Sequence, residues 1–274
     1  MNKIGSRIVL HIVVIVIAVM AVFPFVWTII SSTHTNTQIF NLSVTFVPEN
    51  NFIANFNSLA EEWPIWRNLL NSILIAIIAT GLVMLIDSMA AFGFTKYHFK
   101  FRDALFFVCL ATMMIPTQVT MVPLFIQMTR LHWVNTPTAV IAPALASVFG
   151  VFLMRQNLMQ FPDELIESGR IDGASDLSIF FRIVVPTIRS SFASLGILTF
   201  IAQWGNYLWP LIVLNQRTSY TLPLVLSLMV APGEAINYGA IMVGAVIVLI
   251  PVLVFFLIFQ KNFINGMLGG AIKG

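Results

Sequence analysis

The sequence predicts an all-α membrane protein of six transmembrane helices, and two observations predict it. Hydrophobic residues make up 58% of the 274 positions and charged residues only 9%, whereas a soluble domain carries roughly 25% charged residues. The mean hydropathy of +0.92 is concentrated in segments near the ~20 residues that a helix, rising about 1.5 Å per residue, needs to cross hydrocarbon. The 14 Lys and Arg are scattered between those segments and form no stripe, so nucleic acid is not an expected partner.

The expected spans run from Ile8 to Ile30, Asn68 to Phe94, Ala104 to Gln127, Thr138 to Met154, Phe192 to Leu214 and Tyr238 to Phe259. Lys3 and Arg7 precede the first span as in a secretory signal, yet its apolar stretch is too long and has no small-residue cleavage site. An uncleaved anchor is expected. Alternating the loops places eleven basic residues (Lys3, Arg7, Lys96, Lys100, Arg102, Arg155, Arg170, Arg182, Arg189, Lys261, Lys273) opposite Arg67, Arg130 and Arg217. Basic residues favour the cytoplasmic side, so both termini are expected there, with 1–274 forming a single transmembrane domain. Residues 31–67, with Trp63 and Trp66 as interfacial aromatics, read as an external cap loop. Residues 215–237 read as a second external loop, in which the apolar stretch from Leu222 to Val230 is too short to span.

Between spans four and five, residues 161–191 concentrate Asp163, Glu164, Glu167, Arg170, Asp172, Asp176, Arg182 and Arg189. Pro162 suits a first helical turn, and Asp163, Glu164 and Glu167 complement the positive end of a helix dipole, so a helix to about Arg170 is expected. Glu164 and Glu167 share one face, leaving Leu165 and Ile166 for the membrane domain. Asp172-Gly173 breaks the helix, and Asp172 or Ser175 caps a second one. There Ala174, Leu177, Phe181 and Val184 recur at helical spacing until Pro186 interrupts. The result is a helix pair lying on the cytoplasmic surface, acidic on one side and apolar on the other. A solvated amphipathic connector has the same general composition.

The order Glu167-Ser168-Gly169-Arg170-Ile171-Asp172-Gly173-Ala174, followed by Phe180-Phe181-Arg182-Ile183-Val184-Val185-Pro186, resembles the "EAA" loop of permease subunits in ABC importers. The resemblance extends to Met114-Ile115-Pro116, Val122-Pro123-Leu124, the run from Phe149 to Gln156, Ile197-Leu198-Thr199-Phe200 and the run from Trp204 to Leu211. The ending Gly269-Gly270-Ala271-Ile272-Lys273-Gly274 is similar to the tail of the maltose-type second permease. Ser168 and Gly169 stand where the family has its two alanines, and Ser190-Ser191 where it often has a second proline. Gly169 weakens a helix by up to about 1 kcal/mol relative to alanine.

The resemblance implies a type I ABC importer permease of the carbohydrate class in a bacterial inner membrane. Its implied partners are a homologous second permease chain, two ATPase subunits and an extracytoplasmic solute-binding protein. The coupling residues it implies are Glu164, Glu167, Arg170, Asp172, Gly173, Ala174 and Pro186. It also implies that residues 215–237 probe the docked binding protein and that the tail 266–274 reaches the ATPases. No phosphate-binding loop of the type Gly-x-x-x-x-Gly-Lys-Ser/Thr occurs. The chain is therefore expected to be no enzyme and to bind no cofactor, with ATP and Mg²⁺ held by the partner ATPase.

In span five, Gln203, Asn206, Tyr207 and Pro210 fall at i, i+3, i+4 and i+7 and are expected to share one face of a helix. Polar groups there line a translocation pathway or bond neighbouring helices. Asp87 is the one acid within an expected span, either a proton relay or the partner of a basic or amide group. Thr117, Gln118 and Thr120, between Pro116 and Pro123, satisfy backbone groups freed by a kink or line a pathway. His11, His34, His98 and His132 are too dispersed for a metal site, and the single Cys109 excludes both an internal disulfide and a thiolate cluster. An ion-coupled secondary transporter is the competing class; it predicts inverted repeats and several intramembrane ionisable groups, of which only Asp87 is evident.

Overall fold

A computed structural model describes residues 3–41, 46–230 and 236–271, with side chains described for 7–41, 46–230 and 236–260. The architecture is all-helical among the described residues. Pro232 and Gly233 of the 215–237 loop, and the side chains of the 266–274 tail, lie outside them.

The chain forms two compact units, residues 1–65 with 225–250 and residues 66–224 with 251–274. In the first, α1 (Lys3–Ser31) is apolar all round, and side chains from Ile8 to Ile29 lie open to the exterior. A bare apolar helix of this length is suited to lipid. Its C-terminal end is pinned by side-chain amides. Asn55 on α3 (Phe52–Glu62) donates to the carbonyls of Ser32 and His34, both at 2.9 Å. Asn36 on the short α2 (Asn36–Ile39) donates to Ile236 O at 3.0 Å and accepts from Gly239 N at 3.1 Å, at the start of α15 (Tyr238–Ala271). The described part of the expected cap loop is thus tied down by the buried Asn55 and the exposed Asn36.

The second unit contains most of α4 (Ile65–Lys96), the chain that follows it as far as Leu224, and the part of α15 from Pro251 onward. The helices after α4 are α5 (Arg102–Thr112), α6 (Thr117–Arg130), α7 (Pro137–Ile141) with its 3₁₀ extension to Leu145, and α8 (Val148–Leu158). The charged segment supplies α9 (Glu164–Ile171), α10 (Asp176–Ile179), a π-helical turn over Phe180–Val184 and α11 (Val185–Thr187). Then come α12 (Arg189–Trp204), α13 (Leu208–Val213) and α14 (Leu222–Leu228), the last occupying the apolar stretch judged too short to span.

Among the described residues, three helices are long and apolar enough to cross a membrane, over Arg7–Ser31, Ile65–Lys96 and Tyr238–Gln260. Six crossings arise only if three bent pairs each count as one. These pairs are α5 with α6 at 99°, α7 and its extension with α8 at 41°, and the Asp176–Thr187 run with α12 at 86°. The expected third span is therefore folded sharply at Met113–Pro116, where Pro116 withholds a donor and starts a new helix. The expected fifth span, Phe192 to Leu214, is likewise two helices broken at Gly205–Tyr207.

Asp87 does not find the basic or amide partner expected of it. It is 1% exposed, and Ser147, the polar neighbour it faces, falls short of hydrogen-bond geometry. Its carboxylate instead occupies the space opposite Gly150 on α8, where an added Cβ would overlap Oδ2. Overpacking of that kind costs about 1–3 kcal/mol. Gly150→Ala is expected to lower the melting temperature of the detergent-solubilised chain, and the Asp87→Ala/Gly150→Ala double variant to recover it; equal losses in both would show that the carboxylate is not the obstacle.

Candidate functional site

The 161–191 segment is seated on an apolar core. Ile166, Ile179, Phe180 and Val184 are buried with Ala91 and Phe92 of α4, Met154 and Leu158 of α8, and Leu195 of α12. Phe180 lies 5.6 Å from Phe92, ring to ring. Glu164 and Glu167 point outward, as their spacing predicts. Leu165, expected to turn inward beside Ile166, is 40% exposed.

The break between α9 and α10 follows from glycine chemistry. Gly173 has φ +79, a conformation open to glycine at little cost. Its N–H reaches Arg170 O at 3.0 Å, and the N–H of Ala174 reaches Gly169 O at 2.9 Å, which together make a Schellman cap with Asp172 as C-cap. Ser175 then caps α10, its hydroxyl accepting from Ser178 N at 3.3 Å. Gly169 is buried because α9 runs close to the next turn; a Cβ there would meet Ile183 Cδ1 at 2.9 Å and Ile179 Cγ1 at 3.2 Å. Glycine in place of the family's alanine goes with this close approach.

The apolar face of the second helix differs from the regular 3.6-residue reading. Val184 is buried and Ala174 half-buried, but Leu177 and Phe181 are 57% and 50% exposed, and Ile179 and Phe180 turn inward instead. The π turn adds a residue to the helical repeat and rotates the residues downstream of it. It stands just before Pro186, which offers no N–H and would clash with a carbonyl four residues back. Pro186 accordingly lies within the helical run rather than ending it, and the chain bends at Ile188, between α11 and α12.

One ion pair ties the segment to α4 and another joins its own two helices. Lys96 Nζ lies 2.6 Å from Asp163 Oδ1, and Arg170 is 3.3 Å from Asp176. Tyr97 faces Asp176 and Arg170, and burial first, then Asp176, pushes its phenol above the ordinary value. On α5, the Arg102 guanidinium lies 3.0 Å from Asp103, with Arg155 of α8 3.8 Å from the same carboxylate.

A cavity of about 280 Å³ lies between α6, the α7 region, α12 and α13, with Thr117, Thr120, Gln203 and Asn206 as its polar walls. Gln203 also borders a second cavity of about 260 Å³. Its buried Oε1 has no hydrogen-bond partner. Asn206 Oδ1 faces Trp209 N at 3.5 Å, near the start of α13, where Pro210 sits in a first turn that leaves its missing N–H without cost. Gln203, Asn206, Tyr207 and Pro210 do not share a helix face, because α12 ends at Trp204. Gln203 and Asn206 nevertheless meet at one cavity, while Tyr207 is 46% exposed and outside its lining. Sequence reasoning grouped neither Thr117 nor Thr120 with Gln203; Trp209, whose indole donates to Ala139 O at 2.8 Å, locks α13 against α7.

The family model described as "Binding-protein-dependent transport system inner membrane component" matches residues 88–269. The chain belongs to that family. It is 37% identical over 254 residues to the lactose transport system permease protein LacG of Rhizobium radiobacter, covering 92% of this chain and 91% of that one. It is 36% identical to the arabinooligosaccharides transport system permease protein AraQ of Halalkalibacterium halodurans, covering 94% and 93%. To the sn-glycerol-3-phosphate transport system permease protein UgpE of Escherichia coli K12 it is 29% identical, covering 94% of each. A crystal structure of a bacterial ABC transporter involved in the import of the acidic polysaccharide alginate contains a chain of the same fold, with TM-score 0.80, 20% identity and coverage of 96% and 98%. This is the type I importer permease fold.

Loss of an N-cap costs about 1 kcal/mol, or roughly a fivefold shift in local opening. Ser175→Ala is expected to speed amide exchange at Ser178 about fivefold while leaving α9 unchanged; unchanged exchange at Ser178 would show that the hydroxyl does not cap α10.

Proposed function

We propose that this chain is one of two permease subunits of an ATP-driven, binding-protein-dependent sugar importer in a bacterial inner membrane, with both termini cytoplasmic. The observation that carries the proposal is the seated 161–191 segment. It turns Ile166, Ile179, Phe180 and Val184 into the bundle, and leaves Glu164, Glu167 and Ile171 outward. Ile171 is 86% exposed, and such a side chain beside two acids is suited to a protein cleft rather than to water. We assign the cleft to one of two ATPase subunits, which hold ATP and Mg²⁺; this chain holds neither.

In this reading ATP-driven closure of the ATPases carries the docked segment with it and rocks the membrane helices between inward- and outward-facing states, a rigid-body transition. The cavity walled by Thr117, Thr120, Gln203 and Asn206 forms this chain's side of the pathway, completed by a homologous second permease. The free Gln203 Oε1 accepts a hydroxyl proton, and the nearby amide and hydroxyl groups match a polyol. Lactose, arabinooligosaccharides and sn-glycerol-3-phosphate in the relatives' names support a sugar or sugar derivative as cargo. A solute-binding protein delivers it from outside, against the 215–237 loop.

Three measurements test the reading. Glu167→Lys should abolish copurification of the ATPase while the chain still inserts; full copurification would refute the docking role. Gln203→Leu should lower uptake about tenfold, the effect of one buried hydrogen bond to cargo, with ATPase binding unchanged. Uptake by native protein that persists without any ATPase would favour an ion-coupled carrier instead.

A further inference from the structure

The end of α4 holds the 161–191 segment at both ends of α9. Lys96 Nζ donates to Phe161 O and to Asp163 Oδ1, each at 2.6 Å, and lies 5.6 Å from the Phe161 ring. The Lys96 side chain is 5% exposed, against 72% for Asp163. An ammonium so covered cannot leave its acceptors without stranding a buried charge. One residue on, the Tyr97 ring lies 5.6 Å from the Arg170 guanidinium at the far end of α9, and Arg170 pairs with Asp176 of α10 at 3.3 Å. Below them, Phe92 of α4 meets both Tyr97 and Phe180, each at 5.6 Å between ring centres. Further along α4, Asp87 fills the notch at Gly150, so α4 is also fitted to α8, which leads directly into the segment.

We infer that α4 is the rod through which the 161–191 segment moves the membrane helices, with Lys96 and Tyr97 as the positioning residues that lock the segment to it. Transmission needs a contiguous set of packed groups without slack. Two adjacent side chains gripping opposite ends of one short helix, over a shared aromatic contact, provide such a set. The inference rests on the ATPase-docking reading of the segment, and its test separates the two.

The test uses the complete importer, containing this chain, its partner permease, the ATPases and the binding protein, in lipid nanodiscs. With Cys109 replaced by Ala, spin labels are placed at Leu74→Cys on α4 and Ser168→Cys on α9, both at exposed positions. The distance between labels should be a single narrow population, equal in nucleotide-free and vanadate-trapped states. Lys96→Met should broaden it and lower binding-protein-stimulated ATP hydrolysis about tenfold, the order expected for losing a charge-assisted hydrogen bond. Lys96→Arg, which keeps the charge and donors, should restore both. A distance that changes between states in the native chain, or that is untouched in Lys96→Met, would overturn the inference. Should Lys96→Met not assemble, Asp163→Asn, altered at an exposed partner, decides in the same two readouts. A native chain that fails to retain the ATPase at all would count against the docking reading and not against the rod.

Discussion

A charged segment stays fixed on an apolar bundle because Ile166, Ile179, Phe180 and Val184 are buried against α4, α8 and α12. Burial of such side chains contributes about 1.5–3 kcal/mol each by area, an upper estimate relative to an extended chain. That seat dictates much of the local geometry. Burying Val184 along with Ile179 and Phe180 accompanies the π turn before Pro186, bringing α9 close requires Gly169, and reversing direction between the helices requires Gly173 in the left-handed region. The polar groups are then free to serve the rim: Glu164 and Glu167 outward, and Asp163, Arg170 and Asp176 in pairs.

Much of this was legible in the sequence wherever the signal was local. The Asp172-Gly173 break, the Ser175 cap and the outward acids follow from short-range hydrogen bonding and dipole chemistry, which tertiary packing leaves unchanged. The inward face of α10 was not legible, because the regular repeat assigned Leu177 and Phe181 to the core. The inward turn of Ile179 and Phe180 is set by contact with the Phe92 surface, and the π turn over Phe180–Val184 shifts the repeat only after it begins; no window of hydrophobic spacing contains that surface.

The polar pathway face shows a similar division. The hydropathy of residues 192–214 is continuous, so a single helix is the natural expectation. Gly205 followed by Asn206, a residue able to cap, was the available sign of a break. The break moves Tyr207 away but leaves Gln203 and Asn206 at one cavity, joined by Thr117 and Thr120 from α6. Those threonines come directly after a 99° turn at Pro116, and composition does not specify which way a bent segment is aimed. Asp87 illustrates the same limit. Its position within α4 is plain from sequence, but the notch at Gly150 that receives it is a property of two helices together.

Membership of the binding-protein-dependent transport family and the type I importer fold frame these details. Within that frame, a chain of contacts runs from an exposed acidic and apolar rim, through a buried seat, to a membrane-length helix. The central claim is that the rim contacts an ATPase. The most direct measurement is cysteine cross-linking from Ile171→Cys, on a Cys109→Ala background, in membranes that contain the copurifying ATPase. The expected result is a cross-link from position 171 to the ATPase and none from the equally apolar but buried position 179 in an Ile179→Cys variant. An ATPase that cross-links from neither position, while remaining bound to the complex, would contradict the claim.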